Sequence, residues 1–397
     1  MKKKILITNY DMEIGGVERS LISMLNNFDH DNYDVDLHLH SHSGPLLDLL
    51  SDKVNLLKEL ETCKTFRMSI VNVFRRGYPI LAIKRLFAKV SSLRYRVLSR
   101  SKDSGYYQAQ KIWEKSITNI DSLNAEYDVA ISYLWPHHFT AFNVDARVKI
   151  AWIHTDYSTI DVDVEKDLAI WKKFDYIISI SDACSIAFIE TYPELKDKLV
   201  MVENITSPNF IRDMAQKGET PELKPDYFNI VSTGRLCEQK AFDKAVEALR
   251  LIRNMGYDKI RWYIIGEGGE RENIETLINE YKLNNDFILL GSKINPYPYM
   301  NNADLYVQPS RYEGKAVTIA EAKILAKPIL ITNYPTSSSQ LTHGIDGEIC
   351  EQNVESIAQS VIQFYQNKNI GLKYSNYCQK QNYSNSEELD KLYSIFQ

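Results

Sequence analysis

Long apolar runs are missing from this chain of 397 residues. No stretch approaches the roughly 18 apolar residues that a membrane-spanning helix needs. The opening run Ile5-Leu6-Ile7 ends at Thr8-Asn9, too short for a secretory leader and enough for a first β-strand. Cysteine is scarce. The five residues (Cys63, Cys184, Cys237, Cys350, Cys378) are odd in number and include no C-x-x-C pair. That argues against a disulfide framework or a zinc cluster and fits a reducing compartment. Apolar residues make up 44% and charged residues 25%, which excludes a disordered or fibrous chain. At about 150 residues per domain the length suggests two domains. The expectation is a cytosolic protein, at most peripheral to a membrane.

One region lacks acid altogether. Residues 62–102 hold eleven Lys and Arg and no Asp or Glu, which leaves 36 basic against 52 acidic residues elsewhere. Phe66, Ile70, Phe74, Ile83, Phe87 and Val97 are interleaved with the cations at helix-like spacing. Basic plus apolar residues at this spacing suit an anionic membrane surface, and equally a solvated face whose apolar side joins a local core. A nucleic-acid partner is not expected, because no recognition module accompanies the stretch and the remainder is acidic.

Strand-like runs alternate with amphipathic stretches along the chain. They fall at 5–8, 35–39, 54–57, 129–133, 149–153, 176–180 and 199–202, then at 229–232, 262–265, 287–290, 305–307 and 328–331. This alternation predicts an α/β protein of two Rossmann-like, doubly wound parallel domains. We expect a first domain over 1–205, a polar linker with three prolines over 206–225, a second domain over 226–375 and a C-terminal helix over 376–397 that crosses back to the first domain. Ligands of such folds bind outside the carboxyl ends of the strands, so two of them facing across a cleft would hold the site between them.

The richest motif is Ser310-Arg311-Tyr312-Glu313-Gly314-Lys315-Ala316-Val317, with Glu321 eight residues after Glu313. It follows a strand and opens a helix, where the N–H groups of Lys315, Ala316 and Val317 would suit a diphosphate. Gly314 would let the phosphate approach. Glu313 would accept from sugar hydroxyls and Glu321 from ribose hydroxyls. A second motif, Gly234-Arg235-Leu236-Cys237-Glu238-Gln239-Lys240, puts a forked guanidinium and an ammonium at another strand end, where they can neutralise a leaving diphosphate. Gly266-Glu267-Gly268 forms a tight turn after the next strand. The loop Lys293-Ile294-Asn295-Pro296-Tyr297-Pro298-Tyr299 reads as the wall of a base pocket, with Tyr299 equally a packing residue. Asp34-x-Asp36 and Asp161-x-Asp163 read as solvated acids.

Taken in order, Gly-Arg-Leu-x-x-Gln-Lys, Gly-Glu-Gly, Asn-Pro-Tyr-x-Tyr-Met and Glu-x7-Glu resemble the retaining glycosyltransferases of family 4, which have the GT-B fold, in particular those that build bacterial capsular, exo- or O-antigen polysaccharides. The resemblance implies a retaining, metal-independent hexosyltransferase with no cofactor. It implies a UDP-sugar donor and, as acceptor, a glycan on a polyprenyl diphosphate at the inner face of the cell membrane. Through it Glu313, Arg235, Lys240 and His154 become catalytic candidates. Gly15 and Gly16 become the first-domain glycine loop, and Asn204 the interdomain asparagine on the acceptor side; apart from the resemblance, His137, after Trp135-Pro136 near a strand end, reads as lining the acceptor cleft. The chain departs from the family pattern in three places: Ala241 and Ala326 stand where glycine is common, and Lys315-Ala316-Val317 replaces the usual set after Glu313-Gly314. A 2-epimerase of UDP-N-acetylglucosamine and a non-catalytic partner subunit of the same fold are the alternatives.

Overall fold

The computed structural model describes residues 2–99, 105–314 and 316–397. They form two compact units, one of Met1–Ile205 with Ser386–Gln397 and one of Thr206–Asn385. In the first unit β1 (Lys3–Asn9), β2 (Tyr33–Leu39), β3 (Asn55–Leu56), β4 (Glu126–Ser132), β5 (Asp145–Ile153), β6 (Tyr176–Ser179) and β7 (Leu199–Met201) make one parallel sheet in the order β3-β2-β1-β4-β5-β6-β7. In the second, β8 (Phe228–Thr233), β9 (Ile260–Ile265), β10 (Phe287–Leu289), β11 (Leu305–Gln308), β12 (Ile329–Thr332) and β13 (Glu348–Cys350) pair in parallel as β10-β9-β8-β11-β12-β13. Both units are therefore doubly wound α/β sheets, as the alternation of the sequence predicts.

Both faces of each sheet are covered, so the central strands are apolar throughout rather than alternating. Ile5, Leu6 and Ile7 of β1 are fully buried, as are Ile230 and Val231 of β8. Helix Phe242–Asn254 turns Ala245, Val246, Leu249 and Ile252 onto the second sheet, where they meet Trp262, Phe287 and Ile357 in one core. The strand order reverses between β1 and β4 and again between β8 and β11. At these switch points adjacent loops diverge to opposite faces and leave a crevice at the carboxyl ends of the strands.

Three sequence expectations change. The segment 206–225 is no tether but part of the second unit. Pro208 occupies the first turn of helix Pro208–Ala215, which buries Pro208, Ile211 and Met214 at intervals of three residues. Its end is held by Asn295, whose amide donates to the carbonyls of Met214 and Lys217, both at 2.7 Å. The polar composition and prolines concealed this short amphipathic period. The return of the chain to the first unit begins at Ser386, after helix Lys368–Gln379 has ended in the second unit. There Tyr393 stacks on Tyr33 with ring centroids 5.0 Å apart and accepts the Asp29 N–H at 2.8 Å. Asp36, read as solvated, is buried. It accepts from the Tyr127 hydroxyl at 2.9 Å and from Asn55 at 2.7 Å.

Candidate functional site

In the second unit the loops after β8 and β11 meet at the switch point. The first carries Gly234, Arg235 and Lys240, the second Ser310, Glu313 and Gly314, and they are locked together. Lys240 Nζ donates to Glu313 Oε1 at 2.6 Å, with only 16% and 6% of the two side chains exposed. The same oxygen accepts from Ser310 Oγ at 2.5 Å and from Gln308 Nε2 at 3.1 Å, and Gln239 reaches Oε2 at 3.3 Å. Gln308 ends β11 fully buried, held by the Tyr306 hydroxyl at 2.8 Å. Arg311 pairs with Asp243 and its N–H binds the Gln239 carbonyl at 2.8 Å, so the two loops move as one. Arg235 is exposed and has no hydrogen bond or ion pair among the described residues, so its five N–H donors are open to solvent.

Backbone proximity sets this geometry. A Cβ built on Gly266 would lie 1.9 Å from the carbonyl oxygen of Gly234, so any side chain there would push the β8 loop away. Gly314 has open space where its Cβ would stand. The start of helix Val317–Ile324 is less open than expected. The Ala316 N–H is already taken, donating to Gln340 Oε1 at 2.8 Å. Val317 is exposed, and Lys315 lies outside the described residues. Glu321 is buried about one turn further along the helix and accepts from the Tyr297 hydroxyl at 2.9 Å. Of the aromatic loop, Ile294 is exposed. Lys293 and Tyr299 are held by Glu222 at 3.1 and 2.8 Å, so Tyr299 has a packing role against the segment 206–225.

The first unit presents a different chemistry at its own switch point. Gly15 caps helix Gly16–Asn27, and Glu18, three residues on, folds back over it: a Cβ on Gly15 would stand 2.1 Å from Glu18 Oε2. The expected open anion cradle is thus occupied by the chain's own carboxyl, which burial pushes up to about 7. Gly16 faces open space. His154 follows β5 with both ring nitrogens out of solvent and unbonded, its ring 4.6 Å from that of Tyr133. Burial pushes its pKa down to about 3, so the ring is neutral. His137 is buried, its Nδ1 bonded to Ser132 at 2.8 Å and its ring edge-on to Trp171 at 4.5 Å. It is therefore a core residue, where sequence suggested an acceptor-lining one. Asn204 Oδ1 accepts from Ser20 at 2.8 Å, and Ser20 in turn meets the Tyr133 hydroxyl at 2.9 Å.

Among the described residues, His38, His40 and Cys63 offer three ligand atoms within 4.8 Å of one another, all buried in the first unit. Their surroundings are those of packed rings: His38 stacks on Phe139 at 4.7 Å, and His40 lies 5.0 Å from Trp113.

Comparison with known proteins bears on the second unit first. Residues 214–384 match the family model described as glycosyl transferases group 1. The second unit carries a glycosyl transferases group 1 domain. The chain is similar to the UDP-N-acetylglucosamine--peptide N-acetylglucosaminyltransferase GtfA subunit of Streptococcus agalactiae, 24% identical over 60% of this chain and 48% of that one. It is also similar to the poly(ribitol-phosphate) alpha-N-acetylglucosaminyltransferase of Staphylococcus aureus, 23% identical over 58% and 48%. The chain spans about half the length of the curated relatives it matches. Its fold is shared with Anabaena HepE, solved in complex with UDP and glucose, at a TM-score of 0.65, 15% identity and 99% coverage of both chains. That is the GT-B fold.

Within the group 1 domain, sequence reasoning missed the groups that hold the charged ones. Gln308 and Ser310 fix Glu313, Tyr297 fixes Glu321, and Gln340 occupies the Ala316 N–H. The buried Tyr334 hydroxyl lies near Glu313, and burial with that charge raises its pKa. Only Gln308 carried a signal: an amide ending a buried strand must find partners.

Proposed function

We propose that the chain is a retaining glycosyltransferase that moves a hexose or N-acetylhexosamine from a UDP-sugar onto a glycan hydroxyl in bacterial cell-surface polysaccharide synthesis. The acceptor in this reading is a glycan on a polyprenyl diphosphate, met at the inner face of the membrane. The observation that carries it is the buried Lys240–Glu313 pair, set beside the exposed Arg235 at the switch point of the group 1 domain. A lysine ammonium has three donors. One is committed to Glu313, and two remain for a diphosphate, with the Arg235 fork approaching from solvent. Negative charge gathers on that diphosphate as the anomeric C–O bond breaks, and the two cations stabilise it without a metal ion. No cofactor takes part.

Glu313 is a poor nucleophile, because Oε1 already accepts three hydrogen bonds. Its role in this reading is to accept a sugar hydroxyl through Oε2. The acceptor hydroxyl would attack the anomeric carbon on the face that the diphosphate leaves, and its proton would pass to the departing phosphate oxygen. The Staphylococcus aureus relative is named for an alpha linkage, the configuration that retention gives from an α-linked nucleotide sugar. The test is a panel of UDP-, GDP- and ADP-sugars, scored for nucleotide release and thermal shift. Release from one UDP-sugar is the expected result. Sugar isomerisation without acceptor would instead identify an epimerase, and silence with folded protein a partner subunit.

A further inference from the structure

Nine of the 21 exposed large apolar side chains among the described residues fall within 71–97. This stretch holds helices Ile70–Arg75 and Pro79–Ser99, which pack against each other. Val73, Leu81, Ala82, Ala88 and Ser92 face inward and are buried. On the outside, Val71, Phe74, Ile80, Ile83, Leu86, Phe87, Val90, Leu93 and Val97 are 41–77% exposed. Positions 80, 83, 87, 90 and 97 share one helical face, with 86 and 93 beside it. The long helix thus has two apolar faces, and only one is covered. Arg75, Arg76, Lys89, Arg94 and Arg96 border the uncovered face, all exposed.

We propose that this uncovered face docks the protein on an anionic lipid bilayer, with the Phe74 and Phe87 rings entering the boundary between headgroups and acyl chains and the cations meeting the headgroups. The charge pattern selects this occupant. A second copy of the chain would bring the same cation-rich surface against itself and set cation against cation, whereas an anionic bilayer complements both the charge and the apolar stripe. None of the described helices is long and apolar enough to cross a membrane, so the contact is interfacial.

The docking face is also fastened to the first unit's switch point. Arg67 pairs with the buried Asp11 just after β1 and lies over the Tyr10 ring at 4.7 Å. Arg85, on the inner side of the long helix, donates to the Thr65 carbonyl at 2.6 Å, and Phe66 stacks on Trp113 at 3.9 Å. A bilayer held by residues 70–97 would therefore lie at a fixed orientation to the β1 loop. This orientation serves the lipid-linked acceptor of the proposed function and rests on that reading, while the docking itself does not.

The test is flotation of the full chain with vesicles containing phosphatidylglycerol and with vesicles of phosphatidylcholine alone. Binding to the first, weak or no binding to the second, and loss in high salt are expected. Each basic residue near the surface is worth about a fivefold change in partition, so the reversal Arg94→Glu with Arg96→Glu should weaken binding about a hundredfold or more. Phe74→Ser with Phe87→Ser should weaken it comparably. All four side chains are exposed, so the melting temperature should hold. Equal binding to both vesicle types, or none to either, overturns the proposal. So does a wild-type dimer in solution that the serine pair dissolves. Nucleotide release on a soluble acceptor, followed in parallel, separates this outcome from failure of the transferase reading.

Discussion

The two units share one strand order but fill the crevice beyond their strands with opposite chemistry. In the second, the switch point is ionic: Lys240, Glu313, Arg311 and Asp243 cross-link two loops, and Arg235 stands free beside them. In the first, neutral rings dominate. His38, His40, His137, His138 and His154 are all held below their ordinary pKa by burial. Asp167, buried among these rings, is wrapped by N–H and O–H donors from Trp135, Tyr157, Trp171 and Tyr192. Topology thus fixes where a crevice forms and leaves its chemistry to a few side chains at strand ends. A fixed ionic cluster suits a charged leaving group, whereas apolar rings suit the carbon faces of a sugar.

The largest expected effects come from splitting the ionic cluster. Lys240→Ala leaves the Glu313 carboxylate buried without its counter-charge, at a cost of about 3–5 kcal/mol in stability of the second unit. It should also lower turnover at least about tenfold, which corresponds to roughly 1.4 kcal/mol of transition-state stabilisation. Arg235→Ala should show the same loss of turnover with no change in a urea melt, because nothing in the fold depends on that side chain. An Arg235→Ala protein that releases nucleotide at the wild-type rate would sink the phosphate role.

Mild acid should separate the units next. Each buried histidine is neutral in the fold and ordinary in the unfolded chain. Its contribution is therefore complete above about pH 6.5 and is lost as pH falls toward the folded values, about 4 for His38 and His138 and about 3 for His154. Each such group costs about 1.4 kcal/mol per pH unit in that window. All five lie in the first unit, whereas the second has only the exposed His343. Hydrogen exchange followed between pH 7 and 5 should show the first unit opening while the second holds. Parallel loss of protection in both would remove the asymmetry.

Glu18 opposes that trend within the first unit. Its carboxyl is raised from 4.5 to about 7 by burial, so its contribution is complete below about pH 4.5 and is lost as pH rises through 7. Glu18→Gln should therefore stabilise the first unit above pH 7, by at most about 3 kcal/mol, and change nothing near pH 4. A stabilisation independent of pH would mean that the carboxyl is not the group being relieved.

The contrast between the units also explains what the sequence made legible. Strands whose cores are continuous apolar runs, such as Ile5-Leu6-Ile7 and Ile230-Val231, announce themselves, because burial on both faces removes all alternation. β13 stayed hidden: only Cys350 of its three residues is buried. Arg235, Lys240, Glu313 and Glu321 could be chosen because their motifs, taken in order along the chain, resemble those of a known family, whereas each motif alone reads as an ordinary loop or helix. Their partners could not be, since the pairing of Lys240 with Glu313 spans 73 residues and depends on β8 lying beside β11. The same holds for Gln340 on the Ala316 N–H and for Glu18 over Gly15. Spacing shows that a helix begins at these places and is silent about which side chain closes it. His137 read as an acceptor-side residue because the sequence does not reveal that Trp171 covers it.

The smallest effects concern the two alanines that stand where the family favours glycine. Both adopt the left-handed conformation, Ala241 at φ 53° and Ala326 at φ 52°. That conformation costs an alanine roughly 1–2 kcal/mol, while a glycine there gives back about 0.4–1 kcal/mol through the freedom of the unfolded chain. The methyl group decides the remainder. Ala326 is half-buried, so Ala326→Gly should stabilise the second unit by about 0.5–1 kcal/mol. Ala241 is fully buried against the β8 loop, and losing its methyl costs about 0.8 kcal/mol, so Ala241→Gly should be close to neutral. Urea melts read through Trp262, which is bonded to Ser232 at 2.9 Å in the core of that unit, would rank the two. If Ala241→Gly proved the more stabilising, its methyl would carry no packing energy.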